Sequence, residues 1–447
     1  MRSIASRELG SRLRQHLFLF CGIASCAARA PAQVPSTWYV AQNGSPSGPG
    51  TTWATAFDTL DAALAQAAAS SGTDVIRIGR GTFAPNTLTI PGNPRSATFL
   101  VPSGTTIQGS WNAITNTPPP VGFATGTVLS GSLGAAGRAH HVVTIPAFSD
   151  PLDPGVIIAN LVVTGGNAND SASGNVHGGG IYSLADSLLL DTVNVDQNSA
   201  SDRGAGLYAV GVTSNAKYCR FTDNVAGGAG GGAYTRTRFL VYNSTFLRNE
   251  ASFGGGLYAD RSLLPTGGRI VAGCRFKLNE ASNSGGAIAF DGLGTPSGGT
   301  NFIVSACTLS QNGAGVESGG LHALASASTQ RWILTSILWD NTAPANPELP
   351  SGICADYCII EMPGGSTNRY PGCVADTNLN LDPLLATNQS LSSTSSPAYD
   401  YANPLFLAPD LLDVDGDMNT TEVLPLDIAR NPRVSASGFL DIGAYEL

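Results

Sequence analysis

Between residues 188 and 341 apolar and polar positions alternate in short bursts that recur six times, each closed by an asparagine. The closing residues are Asn198, Asn224, Asn249, Asn279, Asn312 and Asn341, at spacings of 26, 25, 30, 33 and 29. Three positions before each stand Val195, Phe221, Phe246, Phe276, Leu309 and Leu338, all apolar. Five positions before stand Val193, Cys219, Ser244, Cys274, Cys307 and Ser336, all compact, and the residue between these two columns is mostly polar. Side chains two apart share one face of a strand, so each burst predicts a half-buried strand. A glycine-rich step precedes each burst, as in Gly178-Gly-Gly-Ile-Tyr182, Gly230-Gly-Gly-Ala-Tyr234 and Gly254-Gly-Gly-Leu-Tyr258. A period of this length marks a solenoid, in which each unit stacks on the next.

Parallel stacking places like residues about 4.8 Å apart, so Phe221, Phe246 and Phe276 are expected as an internal aromatic ladder. The asparagines are expected as a second ladder, at a sharp bend where Asn tolerates the left-handed conformation. One loop per turn absorbs the variable spacing, for example Thr295–Thr300. With 54 Gly and 27 Pro, helix is disfavoured. The exception is Ala56–Ala67, where Phe57, Leu60 and Leu64 fall on one face. It is expected to cap the N-terminal end and lead into a strand over Asp74–Phe83. The chain divides into a cap and first coil (33–96), a β-helix (97–345), and last coils with an irregular C-terminal cap (346–447), about ten or eleven coils in all.

The paired F-x-x-N motifs Phe221–Asn224, Phe246–Asn249 and Phe276–Asn279, with Gly285-Gly-Ala-Ile, resemble the repeats of polymorphic outer-membrane proteins. That resemblance spans roughly residues 160–345. It implies an all-β, single-stranded right-handed parallel β-helix of the pectin-lyase-like superfamily. Asp382-Pro-Leu-Leu, Ser396-Pro-Ala-Tyr-Asp400 and Asp441-Ile-Gly-Ala-Tyr-Glu446 resemble the closing region of secreted choice-of-anchor proteins. Such an architecture hosts lyases, hydrolases and adhesins alike, so it selects no activity. The Asn-Thr-Asp, Gly-His-Gly and Arg-Ile-Lys strings of polygalacturonases do not occur here.

Arg2, Arg7, Arg12 and Arg14 precede an apolar run from Leu17 to Ala28, and Ala30-Pro-Ala32 offers a cleavage site. This reads as a signal peptide over 1–32 and an exported protein, secreted or held at the cell surface or outer membrane. Ile23-Ala-Ser-Cys26 keeps a second reading open, a lipoprotein signal over 1–25 with a lipid on Cys26 as the membrane anchor. A net charge of −9 with only Lys217 and Lys277 as lysines argues against a nucleic-acid partner. Cys219, Cys274 and Cys307 fall in the inward column and read as core thiols. Cys354, Cys358 and Cys373 are disulfide candidates, most simply Cys354 or Cys358 with Cys373.

Candidate chemistry is sparse. Asp413, Asp415, Asp417 and Asn419 alternate like oxygen ligands of a calcium loop, with Glu422 behind, and a plain Asp/Gly turn is the competing reading. Glu250 and Glu280 follow successive ladder asparagines and would form a carboxylate pair about 5 Å apart. Lys277 and Arg275 are the outward cations nominated as a lyase base. His177 and Arg203 precede glycine steps, and Asp260 and Asp291 follow glycine strands, so these four are nominated for ligand binding. The leading expectation is a noncatalytic surface protein that presents a polar face to a polysaccharide or cell-surface glycan. A lyase or hydrolase acting on an acidic polysaccharide is the alternative, and an envelope component the third.

Overall fold

The computed structural model describes residues 36–45, 47–70, 72–122, 126–148, 154–260, 268–291, 302–323, 331–350, 353–362, 377–435 and 438–447. The segment expected as an export signal with Cys26, the Thr295–Thr300 loop and Cys373 lie outside them. Eleven strands stack in parallel, each in register with the next: Ser36–Val40, Asp74–Gly79, Thr105–Trp111, Val156–Thr164, Ser187–Asp196, Thr213–Lys217, Arg238–Tyr242, Arg269–Ala272, Phe302–Ser305, Arg331–Leu334 and Cys354–Asp356. Ten steps of about 4.8 Å make a rod about 48 Å long. Most coils add a second rung to this sheet after a bend, such as Arg220–Thr222 on Thr245–Leu247. Two further parallel stacks run from Asn167–Ala168 to Gly313–Ala314 and from Ala97–Leu100 to Leu321–Ala323. The fold is a right-handed parallel β-helix, the hand that twisted strands favour in parallel crossovers.

Left-handed residues make the corners, and they too stack in columns. The first is Asn160, Thr192, Tyr218, Asn243, Gly273, Ala306, Thr335 and Tyr357, with φ from 48 to 64°. The second is Gln197, Asp223, Arg248, Leu278, Gln311 and Asp340, with φ from 52 to 59°. The left-handed residue is therefore the one before each ladder asparagine and not the asparagine itself, which corrects the sequence expectation. The asparagine instead satisfies the amides this bend exposes. Asn198 donates both its backbone N–H and its Nδ2 to Asn224 Oδ1, each at 3.1 Å, and the pattern repeats through Asn249, Asn279 and Asn312 to Asn341. All six are buried.

The third corner takes the first glycine of each step, Gly178, Gly204, Gly230, Gly254 and Gly285, at φ from 60 to 73°, then Ser318 at 57°. The last glycine of a step is required for a different reason. A Cβ on Gly206 would stand 2.4 Å from the carbonyl oxygen of Gly232 on the next coil. Inside, Phe221, Phe246 and Phe276 stack with centroids 4.8 and 4.5 Å apart and planes within 9°. Leu309, Leu338 and Ile360 continue that column.

Helix α1 (Leu60–Ala69) covers the N-terminal end with Leu60, Ala63, Leu64 and Ala67 buried, and Thr59 caps it by accepting from the Ala62 N–H. Phe57 lies before the helix, bridged to Val40. Cys219, Cys274, Cys307 and Cys358 are free and buried. The disulfide expectation for Cys358 is thus corrected. Ile359 pairs with Ile337, which puts Cys358 one rung above Ser336 in the inward column, its thiol bonded to the carbonyls of Ile333 and Asp356. Cys354 is disulfide-bonded, to a residue outside the described ones.

The C-terminal segment starts on the last coil, where Leu379 donates its N–H to Cys358 O at 2.8 Å. It then folds back along the flank of the rod as an irregular strap. Apolar side chains drive this course. Leu391, Ala398, Ala402, Leu407, Leu440 and Ile442 pack on Ala306, Ile337 and Ile359 of the outer sheet face. Burying such a face against the chain's own tail removes apolar area from water at about 25 cal/mol per Å².

Candidate functional site

One outward column of the long sheet changes character along the rod. It reads Tyr39, Arg77, Gln108, Ala159, Asp191, Lys217, then Tyr242, Ala272, Ser305, Leu334 and Asp356, in direct register. The second half is mostly apolar and lies under the strap, where Tyr242, Ala272 and Leu334 join Phe406, Ala408, Val414 and Leu424 in one cluster. The first half is mostly polar and half-buried. The border falls at Lys217, whose Nζ donates to the strap carbonyls of Leu412 and Asp413 at 3.4 and 3.0 Å.

At that border opens a groove of about 440 Å³, within the range of small-ligand sites. Gln108, Asn160, Asp191 and Thr192 supply its polar floor, Trp111 and Pro118–Gly122 one wall, and Val414, Asp415, Gly416 and Arg430 the other. Lys217 stands 3.8 Å from Asp191. Both groove aromatics carry a guanidinium, Arg77 at 4.3 Å from the Trp111 ring centre and Arg430 at 3.6 Å from that of Tyr218. Tyr39 and Trp53, centroids 4.8 Å apart, extend the aromatic rim, with Trp53 at 6.5 Å from Trp111. Stacking of this kind holds a planar cation in place with its N–H groups directed sideways. No hydrogen bond or ion pair joins the Arg430 guanidinium to another described residue.

Sequence reasoning passed over this groove. The four residues nominated for ligand binding gather on a different face. Tyr182, Tyr208, Tyr234 and Tyr258 stack outward on successive coils with centroids 5.3, 5.2 and 5.6 Å apart. His177 stacks on Tyr208 at 4.7 Å and faces Asp202 at 3.6 Å. Arg203 lies over Tyr234, and Asp260 and Asp291 accept from the hydroxyls of Tyr234 and Tyr258. Burial first, then the carboxylate, pushes both of these phenols up. Tyr208, Tyr234 and Asp260 are buried, whereas the Arg203 side chain stays 42% exposed.

Glu250 and Glu280 sit in direct register on adjacent coils, both exposed. Burial, and then the charge of Glu250, raises the Glu280 carboxyl, and no described cation bonds to either. Arg275 and Lys277 point under the strap: Arg275 donates to Asn388 O at 2.9 Å and Lys277 to Thr387 O at 2.7 Å. They hold the C-terminal segment in place.

The acidic loop gathers two overlapping carboxylate sets, Asp410 with Asp415 and Glu422, and Asp413 with Asp415 and Asp417, each with oxygens within 4.8 Å. Asp410, absent from the sequence reading, is buried and accepts the N–H groups of Leu412 and Val414 at 3.2 and 2.8 Å. Asp413, Asp415, Asp417 and Asn419 each turn one oxygen onto a backbone N–H within the loop, and Asn419 also donates to Glu422 at 3.3 Å. Desolvation and then the surrounding aspartates raise the Glu422 carboxyl, and its Oε1 is buried without a hydrogen-bond partner. Hard oxygen donors in this number suit calcium.

Among the described residues no helix is long and apolar enough to cross a membrane. No family model and no curated protein sequence matches the chain. Among solved structures it is similar to the pectate lyase Pel9A, at 13% identity and a TM-score of 0.48 over 93% of this chain and 97% of that one. It is also similar to the pectin methylesterase of Aspergillus niger, at 9% identity and a TM-score of 0.36 over 82% and 97%.

Proposed function

We propose that this protein is an exported, noncatalytic glycan-binding β-helix whose binding surface is the polar half of the long sheet's outer face. The observation that carries the reading is the change along one outward column at Lys217. Below it the column stays mostly polar: Gln108, Asp191 and Lys217 line an open groove and Arg77 stacks on its Trp111 wall, whereas the residues above are roofed by the strap. Aromatic rims with amide, carboxylate and guanidinium groups between them match the alternating apolar faces and hydroxyls of sugar rings.

A binding role fits the groove better than acid–base chemistry. The Lys217 Nζ is taken up by Asp191 and two strap carbonyls, whereas a general base must stand within hydrogen-bond reach of the proton it abstracts. The export signal and the repeat resemblance support a cell-surface or secreted setting. For the acidic loop we propose calcium in a structural role, supported by the unpartnered Glu422 oxygen among aspartates.

The test is retention of the protein in affinity gels of neutral and acidic polysaccharides, with ultraviolet detection of unsaturated products and a reducing-end assay in parallel. Retention that is lost in Gln108→Ala and Arg77→Ala, with no product formed, is the expected result. Product formation would replace the binding reading with the lyase or hydrolase alternative, and absence of retention on every polymer would leave the envelope role.

A further inference from the structure

Resting on that reading of the groove as a glycan site, we infer that the groove is blind at its strap end and takes the terminus of a glycan chain. The polar column spans six coils from Tyr39 to Lys217, five steps of about 4.8 Å, or about 24 Å along the rod. Its path toward the C-terminal end stops at Lys217, where the strap carbonyls of Leu412 and Asp413 lie on the ammonium. One coil further, the Tyr242 hydroxyl donates to Pro409 O at 2.7 Å, so the strap crosses that rung as well. A linear polymer lying along the column cannot continue past this point.

The wall is built to stay. Residues 408–411 and 422–424 pair as a short hairpin, with Asp410 N donating to Glu422 O at 2.9 Å and Leu424 N to Ala408 O at 2.9 Å. Asp410, fully buried, ties down the turn that follows through the amides of Leu412 and Val414. Val414 and Leu424 are sunk in the apolar cluster over Tyr218, Leu240 and Tyr242. An element anchored by backbone bonds and buried side chains does not swing aside for a ligand at small cost.

The wall also carries recognition chemistry. The Arg430 guanidinium is held flat on Tyr218 with no hydrogen bond or ion pair to a described residue, and Asp415 lines the groove beside it. A terminal sugar has hydroxyls that an internal residue spends in glycosidic bonds. The half-buried donor fork of Arg430 at the closed end is placed to bind that extra edge, and a site that hydrogen-bonds a hydroxyl discriminates against a ligand lacking it.

The experiment uses the full chain and titration calorimetry with cello-oligosaccharides and oligogalacturonides of increasing length, their parent polymers, and a cyclic β-glucan that has no ends. On whichever series binds, a fixed number of protein molecules per chain, independent of chain length, and no binding of the cyclic glucan are expected. Arg430→Ala is expected to weaken the oligosaccharide about tenfold with the thermal midpoint retained, and Arg430→Lys to restore only part of the loss. Stoichiometry that grows with polymer length, or equal binding of the cyclic glucan, would overturn the inference and leave the groove standing as a site. Failure of every glycan to bind would overturn both.

Discussion

Asn341 donates its backbone N–H and its Nδ2 to the two carboxylate oxygens of Glu348, at 3.1 and 2.6 Å, and so ends the asparagine ladder on an acid. Every lower rung is received by the amide oxygen of the next asparagine. Above Asn341 no further ladder asparagine follows among the described residues, and Glu348 reaches in from seven residues downstream to take that place while its own carbonyl accepts from Leu321 N. Aligned amides polarise one another, and the donor end of such a row favours an acceptor.

Burial pushes the Glu348 carboxyl from 4.5 up to about 8, against the two bonds from Asn341 that pull it down. The folded state therefore holds this proton more tightly than the unfolded chain, and stability falls as pH rises from about 4.5 to about 8. Glu348→Gln supplies an uncharged acceptor and is expected to flatten that slope and raise the melting midpoint at pH 8. Glu446 is also raised to about 8 by burial, so part of the wild-type slope stays. Melting curves of both proteins from pH 5 to 8.5 decide it, and identical pH profiles would remove Glu348 from the account.

Asn249 stands mid-ladder, receiving Asn224 and donating to Phe221 O at 2.8 Å and to Asn279. Asn249→Ala leaves several buried groups unpaired, each costing roughly 1–3 kcal/mol. The expected loss is larger than for Asn198→Ala, because Asn198 receives only the Gly166 N–H from below. Denaturant midpoints of the two variants give the comparison.

Phe246 is stacked on both faces, by Phe221 and Phe276. Phe246→Ala is expected to cost about 3–5 kcal/mol and Phe246→Leu markedly less, since leucine already fills this column at Leu309 and Leu338. Urea unfolding followed by circular dichroism reads the difference.

Arg433, fully buried, binds the strap to itself through Gly443 O at 2.8 Å, Ala444 O at 3.1 Å and Glu446 at 3.2 Å, and to the rod through Ala306 O at 3.5 Å. Arg433→Met takes the guanidinium donor from the buried Gly443 and Ala444 carbonyls, at roughly 1–3 kcal/mol for each group left unpaired. Limited proteolysis is expected to cut within 377–447 first, before any cut in the coils.

Desolvation, and then the charges of four neighbouring aspartates, raise the Glu422 carboxyl. With a chelator present, Glu422→Gln is expected to raise the melting midpoint by relieving that repulsion. With millimolar calcium the wild type is expected to gain and the variant to gain less, since ligand bound only to the folded state stabilises by mass action. A wild-type midpoint indifferent to calcium would reduce the loop to a plain turn.

The repeat was legible because a parallel solenoid sets like residues on one another, so Phe221, Phe246 and Phe276, and the six ladder asparagines, leave a period that survives variable loops. Helix α1 was legible from its apolar face. Cys358 escaped because no asparagine closes its coil, so its place above Ser336 appears only in the strand register. The bend residue was misassigned because Asn is a frequent left-handed residue, whereas here the next coil's amides claim its side chain. The groove could not be read at all. Tyr39, Arg77, Gln108, Asp191 and Lys217 belong to separate coils, and whether the outer face beyond them is open depends on a tail that folds back across it. Local periodicity fixes which side of a strand a residue faces, but only the packing of distant segments decides which faces stay in water.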